Sequence, residues 1–236
     1  MKVLVVHAHP EPQSFCAALK TTAVNVLRDA GNEVEVSDLY AMGFNPVASA
    51  DDFGTRANAG YCVYALEQRH GFANGTIRSD IKVELEKLMR CDLLILNFPL
   101  FWFSTPAILK GWIDRILVSG PVYGGMRFYD RGGLRGKRAI VSLTLGGQAR
   151  MFASDGIHGP LEGMLRPLLQ GTLAYIGLDV LEPFVAWHVP YVANEVRLEY
   201  LAAWRNRLSS LAMEPPLSFP SLDNFDESLR PLNGRT

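Results

Sequence analysis

Leu93-Leu94-Ile95-Leu96-Asn97-Phe98 carries one polar side chain in six residues, and Pro99 followed by Phe101-Trp102-Phe103 closes the run. A strand with one face in water alternates apolar and polar positions. Near-continuous apolar character is expected instead where helices cover both faces of a parallel sheet. Val3–Val6, Val34–Val36 and Ala139–Leu143 read the same way, and Val180–Val189 supplies a fifth strand. Helix-like stretches lie between them: Ser14–Ala30, Ile81–Met89, Ala107–Leu117, Leu161–Ile176 and Glu195–Leu211. Ser14 serves as an N-cap and Gly31 as a stop for the first. Ser104-Thr105-Pro106 offers an N-cap and a first-turn proline for the third. Strands and helices alternating over short connections predict an α/β protein with a doubly wound parallel sheet.

Five strands favour the flavodoxin-like order 2-1-3-4-5 over the six-strand dinucleotide-binding order. The chain of 236 residues is 48% apolar and 20% charged, enough for a sizeable core in one domain over residues 1–213. Asn45–Asp80 gives weak signals and reads as a long surface excursion. Residues 214–236 hold Pro215, Pro216, Pro220 and Pro231 beside Leu217, Phe219, Leu222 and Phe225, which predicts an irregular C-terminal tail docked on apolar surface. Ile108, Leu109, Trp112, Ile113, Ile116 and Leu117 form an apolar stripe. With the tail, it offers more apolar surface than one sheet face covers and predicts a C2 homodimer. Lys and Arg number 23 against 24 Asp and Glu, a formal net charge of −1, which argues against a nucleic-acid or polybasic membrane-surface binder. No apolar run approaches the ~20 residues of a membrane span. Met1–Val6 reads as a strand rather than a targeting segment, so a cytoplasmic protein with no membrane insertion is expected. Cys16, Cys62 and Cys91 are odd in number and form no CxxC pair, as expected of reduced thiols.

In open α/β sheets, ligands sit beyond the carboxyl ends of the strands. That rule selects three loops. His7-Ala8-His9-Pro10-Glu11-Pro12-Gln13-Ser14-Phe15 enters a helix, whose free N–H groups, with His9 and Ser14, suit a phosphate. Its alternative readings are a plain capped turn or an H-x-H metal pair; no third ligand follows, so no metal is expected. Neither G-x-G-x-x-G nor G-x-x-x-x-G-K-[ST] occurs. Pro99–Ser104 sets three aromatics at a strand end, either core or a flat wall for a planar ring. Thr144-Leu145-Gly146-Gly147-Gln148 is either a turn or a close-approach loop. It leads into Met151–Gly159, where glycines flank His158, a residue type that titrates near neutrality and can donate a proton or stabilise an anion. Phosphate donors, an aromatic wall and close-approach glycines together suit a flavin.

The run Asn97–Trp112 resembles the signature of the NAD(P)H:quinone oxidoreductases of the DT-diaphorase type. Ser37–Met42, Gly156-Ile157-His158-Gly159 and Leu181-Glu182-Pro183 do so too, and the match extends over nearly the whole chain. The resemblance implies a flavodoxin-like homodimer with one flavin per chain, normally FAD with FMN left open, and NAD(P)H as co-substrate. It implies that His9, Ser14, Phe15, Cys16, Leu100, Phe101, Trp102, Phe103, Thr144, Leu145, Gly146, Gly147, Phe152 and Arg197 hold the flavin. His158 would offset negative charge at the flavin's pyrimidine edge, with Gly146 and Gly147 permitting close stacking. Trp102, Phe103, Tyr123, Phe128, Met151 and His158 would face substrate, Tyr123 by reaching the partner chain's pocket.

The chain departs from that pattern in places. Phe152 replaces the tyrosine beside the catalytic histidine, Gly125 replaces a second pocket tyrosine, and Cys16 stands for an asparagine. Mammalian members carry a longer C-terminal extension, which points to bacterial relatives. The expected activity is ping-pong hydride transfer from NAD(P)H through the flavin to quinones or similar planar electrophiles. The alternatives are a flavin, azo or nitroaromatic reductase, a one-electron carrier disfavoured by the near-neutral charge, and an accessory regulatory subunit of a potassium-efflux transporter.

Overall fold

The computed structural model describes residues 1–232. Strands β1 (Lys2–His7), β2 (Glu33–Asp38), β3 (Leu93–Pro99), β4 (Arg138–Thr144) and β5 (Asp179–Val180) lie in the order β2-β1-β3-β4-β5, all parallel. A further short strand, β6 (Phe184–Ala186), pairs with the far half of β4. The single fifth strand expected over Val180–Val189 is therefore two pieces. Leu181 N–H still donates to Ala139 O (2.8 Å), but Pro183 has no N–H, and the ladder resumes at Phe184.

All seven residues of β3 are buried, because helices cover both faces. Val3, Val5 and Ile95 face a cluster with Leu19, Leu27 and Trp204 from α1 (Phe15–Asp29) and α6 (Asn194–Ser210). Leu4, Val6 and Leu96 face the opposite cluster, with Leu85, Leu88 and Trp112 from α3 (Ser79–Arg90) and α4 (Ala107–Ile116). This is the period-2 alternation of a strand between two helix layers. Ser14 caps α1, its hydroxyl oxygen accepting from Ala17 N–H at 3.1 Å. At α4 the cap position is Pro106 with no side-chain cap; Ser104 is instead held in a turn with Phe101. The expected helix over Leu161–Ile176 is α5 (Leu161–Leu168), in which Pro167 removes one N–H from the ladder, followed by a wide π turn at Leu169–Ala174.

The apolar stripe on α4 does not need a second chain. Leu109, Trp112, Ile113, Ile116 and Leu117 are buried within this one, so the stripe carries no argument for a dimer. Nor is Asn45–Asp80 a loose excursion. It contains α2 (Tyr64–Asn74) and buries Asp52 against Arg115, whose Nη2 and Nε donate to the two carboxylate oxygens at 2.7 and 3.1 Å. Pro46 packs so tightly on α4 that a Cβ on Gly111 would lie 2.1 Å from its carbonyl.

The tail docks on the sheet edge. Leu217 N–H donates to Val180 O (2.8 Å), Leu217 and Phe219 pack on the core, and the Asp130 carboxylate accepts from the Ser221 hydroxyl (2.8 Å) and from Leu222 N–H (3.0 Å). Residues 233–236 of the expected tail lie outside the described residues.

Candidate functional site

The three loops converge at the carboxyl ends of β1, β3 and β4 around a cavity of about 280 Å³. Its lining takes His9, Ser14, Phe15 and Cys16 from the first loop, Pro99, Leu100 and Phe101 from the second, and Thr144, Leu145 and Gly146 from the third; Val189 and Pro190 close it. Leu100 N–H donates to Thr144 O (2.8 Å), which ties the second loop to the third. Of the larger cavities, one of about 340 Å³ lies along the tail, and one of about 420 Å³ lies behind the third loop, lined by Ala149, Phe152 and Trp187.

In the first loop, His9 Nδ1 accepts Glu11 N–H at 3.0 Å, which leaves its proton on Nε2. Burial lowers the His9 pKa, so the ring is a neutral donor at pH 7. Ser14 Oγ is used as an acceptor by the cap, and its hydroxyl hydrogen remains to be donated. Phe15 and Cys16 N–H, at the start of α1, have no acceptor among the described residues. These donors form a ready anion site.

Beneath Cys16 runs a buried polar row. His7, Asn97 and Ser142 stand side by side across β1, β3 and β4. His7 Nδ1 donates to Asn97 Oδ1 (2.5 Å), Cys16 S–H donates to the same oxygen (3.4 Å), and Asn97 Nδ2 donates to Ser142 Oγ (3.3 Å). Burial pushes the Cys16 thiol up to about 12, so it stays protonated. His7 is turned inward and His9 outward, so the two do not chelate. Among the described residues, no three His, Cys, Asp or Glu side chains converge on a metal position.

The second loop departs from expectation. Phe101 and Ser104 exchange two backbone hydrogen bonds of 3.0 Å around Trp102 (φ +51°) and Phe103 (φ +59°), both left-handed. That turn throws Trp102 into solvent, 95% exposed, so the wall of the cavity is Leu100 and Phe101. Phe103 turns instead to His158, ring centroids 5.1 Å apart.

In the third loop, a Cβ on Gly146 would meet nothing nearer than Tyr191 at 3.8 Å, so this glycine opens the cavity. A Cβ on Gly147 would lie 2.6 Å from the Phe152 ring; its bareness accommodates that side chain, not a ligand. Phe152 is buried there and also faces His158 (5.0 Å) and Trp187 (5.5 Å). His158 is half-buried, its backbone N–H on Met151 O at 2.9 Å. Arg197 donates Nε and Nη2 to Val189 O (3.2 and 3.1 Å), beside the cavity. Tyr123 and Phe128 are not brought to it: both pack on Tyr175, at 6.0 and 5.4 Å.

One participant was missed. His188 follows β6 with φ +55°, and its Nδ1 lies 2.6 Å from Gly146 O. The strand-end rule applied after the last strand would have selected its loop; its backbone conformation has no sequence signal.

The profile of the flavodoxin-like fold matches residues 1–208. The chain belongs to the flavodoxin-like fold family. Within it, the chain is 43% identical to the mouse (Mus musculus) ribosyldihydronicotinamide dehydrogenase [quinone], over 92% of this chain and 94% of that one. It is 38% identical to the rat (Rattus norvegicus) NAD(P)H dehydrogenase [quinone] 1, over 95% and 82%. A Klebsiella pneumoniae crystal structure assigned as a quinone reductase superposes with a TM-score of 0.95 at 38% identity, covering 100% of this chain and 97% of that one. The 94% coverage of the mouse relative means that length alone does not separate this chain from mammalian members.

Proposed function

We propose that the chain is a flavin-dependent NAD(P)H:quinone oxidoreductase. The observation that carries this reading is one cavity with unpaired donors at both ends. His9, Ser14 and the α1 N-terminus offer donors to phosphate, and the glycine loop offers backbone N–H groups to a polar ring edge. Leu100 and Phe101 give the flat apolar wall between them. A flavin bound there supplies the hydride relay from nicotinamide to quinone, the two substrates taking turns on one face.

The chain's own residues do the rest. His9 Nε2–H and the free amides of Phe15 and Cys16 hold phosphate, and Gly146 lets the ring approach. Arg197, anchored on Val189 beside the cavity, would help hold the adenylate half if the flavin is FAD. His158 donates a hydrogen bond or a proton where negative charge develops. Phe103 and Phe152 keep water off its ring, while Met151 stands beside it.

A homodimer completes the site. The support is Trp102, a large aromatic 95% exposed on the rim, together with Tyr123 and Phe128, which have no route to the cavity of their own chain. No helix among the described residues is long and apolar enough to cross a membrane; the three free cysteines, with no disulfide among them, support a reducing, cytoplasmic setting.

Denaturing the purified protein and identifying the released chromophore tests the reading. FAD or FMN is expected, bleached by NAD(P)H and restored by a quinone before denaturation. A colourless protein that takes up neither flavin would end the proposal.

A further inference from the structure

The glycine loop is gripped from one side. Leu145 O accepts Val189 N–H (3.0 Å), Gly147 O accepts His188 N–H (2.9 Å), and Gly146 O lies 2.6 Å from His188 Nδ1. In a trans peptide the carbonyl and the following N–H point in opposite directions. Three carbonyls turned towards Val189 and His188 therefore turn the N–H groups of Gly146, Gly147 and Gln148 away from them. None of these three N–H groups has an acceptor among the described residues.

Two of the three peptides are fixed by backbone N–H donors. The middle one, joining Gly146 to Gly147, is flanked by the two residues with the freest dihedrals and is the one most able to flip. Its carbonyl is held by a side chain alone. Because a carbonyl only accepts, His188 carries its proton on Nδ1. The ring is itself fixed: His188 is left-handed at φ +55°, its carbonyl accepts Tyr191 N–H (2.9 Å) and Val192 N–H (3.2 Å), and its ring packs on Tyr191 at 4.8 Å.

We infer that His188 is a positioning residue that locks the Gly146–Gly147 peptide with its N–H turned towards the ligand side, as a donor to the polar edge of the bound ring. This rests on the flavin reading of the cavity. It gives that site a preset donor array and assigns its setting to a residue outside the three loops.

His188→Gly keeps the left-handed backbone and removes the ring, whereas His188→Asn tolerates the same backbone and can restore an N–H donor. Titrating flavin into the flavin-free proteins should show roughly 10-fold weaker binding for the glycine variant, the loss of about one hydrogen bond. The potential of the bound flavin should fall, because a donor to the electron-rich edge is lost. The asparagine variant should recover most of both. Parental affinity and potential in the glycine variant would overturn the inference, as would an asparagine variant no better than glycine while melting at the same temperature. Nitrogen-15 NMR of His188 in the flavin-free protein decides the lock separately. Protonated Nδ1 is expected, and a neutral ring protonated on Nε2 would overturn it. A parent chain that binds no flavin would sink the functional reading while this measurement still decides the lock.

Discussion

The rings of Phe152 and His158 stand 5.0 Å apart, and the phenylalanine brings no group that can exchange a proton. Phe103 faces the imidazole as well, at 5.1 Å. Neither aromatic ring can pass a proton to or from the imidazole.

Positioned acid–base groups contribute about 10²–10⁴-fold, with the upper end needing ordered proton-carrying partners. With an aromatic cage in their place, His158→Ala should slow flavin bleaching by NAD(P)H by roughly 10-fold to 100-fold, with flavin still bound. Phe152→Tyr should leave the rate unchanged or raise it. Rapid mixing isolates this half-reaction; parental bleaching in the alanine variant would remove His158 from the chemistry.

Trp102 should show opposite effects on fold and assembly. Its left-handed backbone costs about 1–2 kcal/mol in a residue other than glycine or asparagine. Trp102→Asn should relieve part of that strain and raise the melting temperature of the separated chain. Loss of the ring should weaken self-association, since buried tryptophans are among the dominant interface residues. Sedimentation against concentration checks this, and unchanged association in the variant would put Trp102 outside any interface.

The buried Asp52 carboxylate sets an acid limit on stability. Burial pushes its pKa up, but hydrogen bonds from Arg115, Tyr64 and Ser49 outweigh burial and hold it below the ordinary carboxylate range. A group with a depressed folded pKa contributes stability above its unfolded pKa, and the contribution is lost as pH falls through the folded value. Asp52→Asn should cost about 2 kcal/mol at pH 7, since Arg115 loses its two-pronged charged partner and keeps only Asp80, at 2.9 Å. The gap between variant and parent in urea midpoint should close as pH drops below ~4. A gap constant down to pH 2 would show that the pair contributes nothing through charge.

Thiol labelling should separate the three cysteines. Burial pushes Cys16 up to about 12 and Cys91 up to about 11, while Cys62 is partly exposed. Because thiolate is the nucleophile, the native protein at pH 8 should take up one maleimide per chain, at Cys62, and three after denaturation. A second rapid label mapped to Cys16 would mean that the first loop opens.

Strands β1, β3 and β4 were legible because apolar runs covered on both faces leave little else for a chain to do, and the edge strand β2 because Val34 and Val36 alternate with Glu33 and Glu35. The fifth strand was misread because Pro183 interrupts an apolar stretch without changing its hydrophobicity. The three loops were legible from the strand-end rule, yet which side chains enter the cavity was not. Trp102 and Phe103 share one sequence context, and only the left-handed turn sends the first into water. Nor could the row His7, Asn97, Ser142 be read, since each looks like a blemish in an apolar run until strand register sets them side by side. Arg115 gave no sign of its partner 63 residues earlier, because long-range pairing has no local pattern.

The docking of the tail also bears on solubility. A sheet's last strand presents unpaired N–H and C=O groups that can template pairing with another molecule. Here the outer edge is only two short strands, Asp179–Val180 and Phe184–Ala186, and Leu217 N–H already occupies Val180 O. Leu217 and Phe219 cover the apolar ground beside it. The proline-rich tail thus acts as a selvedge that keeps the weave of the sheet from continuing into a neighbour. A chain cut after residue 213 would be expected to keep its fold longer than it keeps its distance from other copies of itself.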